Sequence, residues 1–389
     1  MLDAIVSYPV NRLPWNERNA CLSPLLTRLW AIAAVALLAS CATERSPLSG
    51  TAPENPEQAR ALIDASVPKR LSDRSGWVND IYAAFTFQGL QPSRENVCAV
   101  VAVIEQESNF QVNPLVPDLG AIAQREIDNR AQHAGIPRLI VRTALELRSA
   151  DGRTYSARID AARTEKDLSD IYEDFIGSVP LGRTLFADWN PIRTRGSMQV
   201  SVTYAEHYAT TRPYPYPVKA SIADELFTRR GSLYFGVAHL LAYDAPYEEY
   251  LFRFADFNAG QYASRNAAFQ SAVARASGLP LVTDGALLSH DSAATGPSET
   301  ELAVRALAAR LNVDSEQIHR ALEEGNVREF ERTKVYTGVF ALAEKGAHHP
   351  LARAMVPTIR LGGPKISRRL TTSWYAHRVD GRFNQCLGR

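Results

Sequence analysis

The sequence predicts a mainly α-helical protein, and three observations predict it. Trp77, Ile81 and Phe85 stand at i, i+4 and i+8, the spacing of one helix face. Residues 97–104 (VCAVVAVI) are apolar without interruption, as in a helix buried on all sides. Tyr375, Val379, Phe383 and Leu387 fall four apart, a stripe that packs a last helix back on the body. With 389 residues, 46% of them hydrophobic, the chain has material for two or three cores.

The first segment reads as an export signal. Residues 29–38 form an apolar run behind Arg28 that is too short to span a bilayer but suits a signal h-region. A buried N-terminal helix is the alternative. The run ends in Leu38-Ala39-Ser40-Cys41, which resembles the lipobox at which bacteria acylate a cysteine and cut before it. That resemblance makes residues 1–40 a signal peptide and Cys41 the lipidation site. Ala42, in place of an aspartate, then implies the outer membrane, with the body facing the periplasm. Residues 41–56, rich in Pro, Ser, Thr and Glu, read as a tether between lipid and body.

Export changes what the other cysteines mean. With Cys21 removed and Cys41 acylated, Cys98 and Cys386 are left in an oxidising compartment, as one disulfide or as two separate buried thiols. The eight histidines show no metal-ligand spacing, the His348-His349 pair included, so neither metal nor cofactor is expected. Lys+Arg at 43 against Asp+Glu at 42 leaves a net charge of +1. Arg193-Thr194-Arg195 and Arg368-Arg369 are short and not interleaved with aromatics, so nucleic acid is excluded as a partner.

The body begins with helical patterns near 57–66 and from about Ser75. The apolar helix follows, with Ser93 as its expected N-cap, and leads into Glu105-Gln106-Glu107-Ser108. Val100 and Ile104 share a helix face with Glu107, so its carboxyl is expected to be partly desolvated, with its pKa raised toward neutrality. A solvated helix-end glutamate is the competing reading. Glu105 lies about 200° around the helix axis and cannot face the same cleft. Residues 137–147 and 166–176 read as helices, with a turn at Ala150-Asp151-Gly152.

Beyond these come Arg195-Gly196-Ser197-Met198-Gln199-Val200, a small-residue turn before a helix through Tyr204 and His207, and then an apolar helix over 232–243. Residues 254–260 (FADFNAG) end a helix at Gly260. Residues 278–297 read as a linker. Ser298 and Glu301 form an expected capping box before Val304, Leu307 and Leu311, and further helices are expected over 315–324 and 329–345.

Glu-Ser, Gly-x-Met-Gln-Val, an apolar helix and Phe-Asn-Ala-Gly, in that order over residues 76–275, resemble the signature of the soluble lytic transglycosylase and goose-type lysozyme superfamily. The chain is also similar to a group of proteobacterial lipoproteins of unassigned function. The resemblance implies a lysozyme-like helical domain over 57–277, carrying a helical insertion at about 118–191, with a C-terminal helical extension over 298–389. It implies cleavage of the bond between N-acetylmuramic acid and N-acetylglucosamine in peptidoglycan strands, giving 1,6-anhydro products. Glu107 would be the single acid and base and Ser108 its neighbour supporting the acetamido group. Gly196, Met198 and Gln199 would line the cleft, and Asn258 would buttress it. Phe257 departs from the signature tyrosine, which removes an expected hydroxyl, and the insertion is long; both favour the alternative of a non-catalytic peptidoglycan-binding lipoprotein. Arg193 or Arg195 is expected to meet peptide-stem carboxylates.

Overall fold

The computed structural model describes residues 55–389 apart from 180, 181, 183, 185–189, 246, 290–295 and 363–368. The expected signal peptide, the Cys41 lipidation site and the tether as far as residue 54 lie outside the described residues. The protein is mainly α, with short two-residue strands between some of its helices.

α1 (Pro56–Ser66) opens on Asn55, whose side chain accepts from the Gln58 amide, with Pro56 fitting the first turn. α2 (Arg74–Gln88) ends at Gly89 in the left-handed region. α3 (Arg94–Glu107) is capped by Ser93 Oγ, which accepts from the Asn96 amide at 3.2 Å. Every residue from 97 to 104 is fully buried, because α1, α10 (Arg229–Leu241) and the last helix, α17 (Thr372–Leu387), pack on it, with α2 side chains completing the same core. Each such aliphatic side chain contributes about 1.5–3 kcal/mol by leaving water, so α3 is the axis of the largest core.

α17 docks antiparallel on α3. Arg94 donates to the Leu387 carbonyl at one end of the pair, Cys98 is disulfide-bonded to Cys386 beside it, and Glu107 meets Tyr375 at the other end. The stripe of Tyr375, Val379 and Phe383 is buried, as its spacing predicts.

The insertion is a helical unit with its own core: α4 (Leu119–His133), α5 (Arg138–Leu145), α6 (Tyr155–Ala161) and α7 (Glu165–Ser178). α7 begins with a reciprocal capping box between Thr164 and Asp167. The chain then forms a hairpin, β1 (Thr194–Arg195) against β2 (Val200–Ser201), and enters α8 (Val202–Thr211) and α9 (Ile222–Glu225) before α10. α11 (Tyr250–Ala259) and α12 (Ala263–Ser277) follow.

A second core forms where α13 (Glu299–Arg305), α14 (Ala308–Leu311), α15 (Ser315–Glu323) and α16 (Lys334–Ala343) gather on Phe269 of α12. The ladder of β3 (Arg360–Leu361) and β4 (Leu370–Thr371) leads into α17.

Three local expectations change. The described part of the linker is docked, not free: Asn266 donates to the Gly285 carbonyl, Gln270 to Asp284 and Ala286, and Leu287 is buried. Of the Ser298/Glu301 box only the serine half forms, because the buried Glu301 carboxylate turns to Arg305 at 2.6 Å and His319 at 3.2 Å. The helix expected over 329–345 is a 3-10 turn at Arg328–Arg332 followed by α16, which starts at the Thr333 cap.

The disulfide joins positions 288 residues apart and therefore restrains most of the unfolded chain. Replacing both Cys98 and Cys386 with alanine is expected to lower unfolding stability by about 3–5 kcal/mol. Urea titration of the double variant against the oxidised parent checks this; equal midpoints would remove the cross-link from the stability argument.

Candidate functional site

Glu107 is the last residue of α3 and is 4% exposed. The chain reverses immediately beyond it, with Asn109 and Phe110 both at positive φ, and the Phe110 ring sits edge-on to Trp77 at 5.0 Å. Ser108 caps the helix, and its hydroxyl donates to the Ile104 carbonyl at 3.2 Å.

Glu105 and Glu107 take opposite environments, as the helix arithmetic demands. Glu105 is ion-paired with Arg389 at 2.9 Å and Arg382 at 4.0 Å, and Gln106 accepts from Arg382. Glu107 instead faces Tyr375. Burial first, then the charge of the nearby Glu107, push the Tyr375 phenol well above its usual range. The hydroxyl whose absence at Phe257 stood out in the sequence is thus matched by one from a different helix, more than a hundred positions later.

The hairpin turn places Gly196, Met198 and Gln199. Gly196 sits at φ +77, and a Cβ there would lie 2.0 Å from the Leu226 carbonyl oxygen, so only glycine fits. The Met198 amide donates to Ser232 Oγ, and its side chain fills the space over Gly236, where a Cβ would meet Sδ at 2.3 Å. Gln199, at φ 50, is buried and fully engaged. Its amide nitrogen donates to Glu165 Oε2 at 3.0 Å and to the Gly196 carbonyl, and its oxygen accepts from Thr194 Oγ1 at 2.9 Å. Glu165 opens α7, so the insertion supplies a carboxylate to the hairpin.

Asn258 Oδ1 accepts from Thr372 Oγ1 at 2.8 Å in a buried contact that holds α11 to the first turn of α17. Phe257 packs against His239 at 5.0 Å, and the other side of that imidazole meets Tyr204 at 4.4 Å. Met198, Phe110, Phe257 and Tyr375 all belong to the α3 core. Arg195 does not reach a ligand: it is buried, pairs with Asp224 at 3.7 Å and stacks over Phe227. Arg193 is exposed.

Tyr375, Thr372 and Glu165 were not singled out from the sequence. Tyr375 was visible only as the first member of a packing stripe, and Glu165 carries no local motif at all.

Burial alone pushes the His239 imidazole down to about 4 from 6.5. The unfolded chain therefore takes up a proton near pH 6.5 that the folded chain refuses until about 4. This contribution to stability is complete above 6.5 and is lost progressively as the pH falls through that window. From this group alone the parent is expected to lose about 2 kcal/mol more than His239→Phe between pH 7 and pH 5. Parallel urea titrations of both proteins at the two pH values measure the difference; identical losses would contradict a neutral buried imidazole.

Residues 70–389 match a family described as "Protein of unknown function (DUF1615)". The chain is also 46% identical, over 357 residues, to a protein of Escherichia coli (strain K12) named "Uncharacterized protein YaiW", a match covering 92% of this chain and 97% of the relative. No solved structure matches the chain. Neither description mentions a lytic transglycosylase or a lysozyme, so that resemblance rests on motif order alone.

Proposed function

We propose, for a chain that belongs to the DUF1615 family, that Glu107 is the acid and base of a peptidoglycan lytic transglycosylase held in the outer membrane through Cys41. The observation that carries this reading is the burial of the Glu107 carboxyl at the end of a core helix, close to the Tyr375 phenol, while the neighbouring Glu105 is neutralised by arginines.

In the proposed reaction Glu107 gives its proton to the oxygen linking N-acetylmuramic acid to N-acetylglucosamine, and the C1–O bond breaks. The acetamido carbonyl of the muramic residue bonds to C1 and carries the positive charge, so no second carboxylate is needed. The Glu107 carboxylate then takes the proton of that sugar's own 6-hydroxyl, whose oxygen attacks C1 and releases the acetamido group. The product is a 1,6-anhydro sugar, no water is consumed, and Glu107 ends protonated as it began. Tyr375 positions the carboxyl. Gln199, held by Glu165 and Thr194, shapes the turn beside it.

A second reading, peptidoglycan binding without cleavage, is favoured by the near-complete enclosure of Glu107 beneath α17. Purified sacculi incubated with the protein and analysed by mass spectrometry separate the two. The expected result is anhydro-muropeptides from the parent, a loss of about 10²–10⁴ in rate for Glu107→Gln, and a loss of about tenfold for Tyr375→Phe, with Glu105→Gln near parental. Sacculus binding without released muropeptides from the parent would overturn cleavage in favour of binding.

A further inference from the structure

The core of the insertion is hollow. A cavity of about 740 Å³ lies among α4, α5, α6 and α7, closed on another side by residues 191–194 and by β3. Its walls are almost wholly hydrocarbon, including Ile122, Ile127, Ile159, Ile171 and Phe175. Protein interiors normally pack as densely as organic crystals. The volume lies within the range of about 300–1,000 Å³ typical of small-molecule sites.

The entrance is also apolar. Ile140 and Leu147 line the cavity and are 60% and 51% exposed, so it opens to water along the side of α5. Leu139, beside them, is 78% exposed. α5 is a short helix that carries apolar residues both into the cavity and outward. The charged groups among the lining residues include Arg193 and Arg360, both exposed, and Arg130, paired with Glu126. A deep hydrocarbon interior with a cationic rim complements a molecule with a long apolar tail and an anionic head.

We infer that this cavity binds an acyl chain, its carboxylate or phosphate head lying against Arg193 and Arg360. The chain has two available sources: a free lipid, whose anionic head the arginines meet, or an acyl group on the protein's own Cys41, which is ester- or amide-linked and fills the apolar interior without such a head. From Cys41 the segment 42–54 reaches at most about 45 Å to Asn55. The site is separate from Glu107, and the inference does not depend on the proposed cleavage.

The test is titration of the delipidated full-length mature chain with cis-parinaric acid, a fluorescent fatty acid. Saturable fluorescence gain at micromolar probe is expected for the parent, together with a raised melting temperature. Ala123→Phe and, on the rim, Ala144→Phe each project a ring into the cavity and are expected to weaken binding about tenfold or more while retaining the parental circular dichroism. Should the first variant fail to fold, the second carries the test. Arg193→Ala combined with Arg360→Ala is expected to weaken binding by a few fold in low salt. Comparing acylated protein with Cys41→Ser identifies the source: binding by the Cys41→Ser chain alone means that the protein's own acyl group fills the cavity, and binding by both means that a free lipid enters. No saturable signal from the parent, or undiminished binding in both folded phenylalanine variants, would overturn the site.

Discussion

The antiparallel docking of α17 on α3 is the constraint on which the rest of the molecule depends. α3 is apolar around its whole circumference and cannot present any face to water. α1 and α10 cover part of it, and the last helix of the chain makes its most extensive contact. Formation of the α3 core therefore waits on contacts between residues nearly 300 positions apart. The Cys98–Cys386 bond makes that closure covalent, and the Arg94, Arg382 and Arg389 contacts fix its register at the surface.

The same docking determines the environment of Glu107. A glutamate at the end of a helix ordinarily points into solvent, as Glu105 does until Arg389 and Arg382 meet it. Glu107 instead lies beneath the first turns of α17, where Tyr375 supplies a hydroxyl and Thr372 ties the helix start to Asn258. The disulfide pins the far end of α17. Its first turns are held by the Thr372 side-chain bond to Asn258, by the Thr372 amide donating to the Ile359 carbonyl and by the buried Tyr375 and Ala376.

Much of this was legible in the residues, and what was not has a physical cause. The helices around 57–66, 97–104 and 166–176 announced themselves through periodicity and capping residues, which act within a few positions. Gly196 and the Met198-Gln199 pair were legible because a tight hairpin restricts residue type locally. The final stripe of Tyr375, Val379 and Phe383 showed that a last helix packs inward, though not which side chain it sets beside Glu107. Tyr375 and Glu165 reach the site through tertiary contact alone, and one sequence without a partner residue to match holds no such information. Residues 279–289 misled because small and polar residues describe a loop equally well whether it is free or pinned to α12 by Gln270 and Asn266. The hollow in the insertion was invisible for a similar reason: Ile127, Ile159 and Ile171 look the same in sequence whether they touch each other or an empty space.

Two elements link that hollow to the buried carboxyl. α7 places Glu165 against Gln199 with its first residue and lines the cavity with Leu168, Ile171 and Phe175 further along. β3 borders the cavity through Arg360 and pairs with β4, whose Thr371 is the cap from which α17 starts. A filled cavity restrains the side chains that line it, and α7 and β3 are the elements that carry them. Restraint at β3 passes through one two-residue ladder to the helix turns that cover Glu107. The helical unit around the cavity therefore touches the hairpin through Glu165 and borders the ladder from which α17 starts.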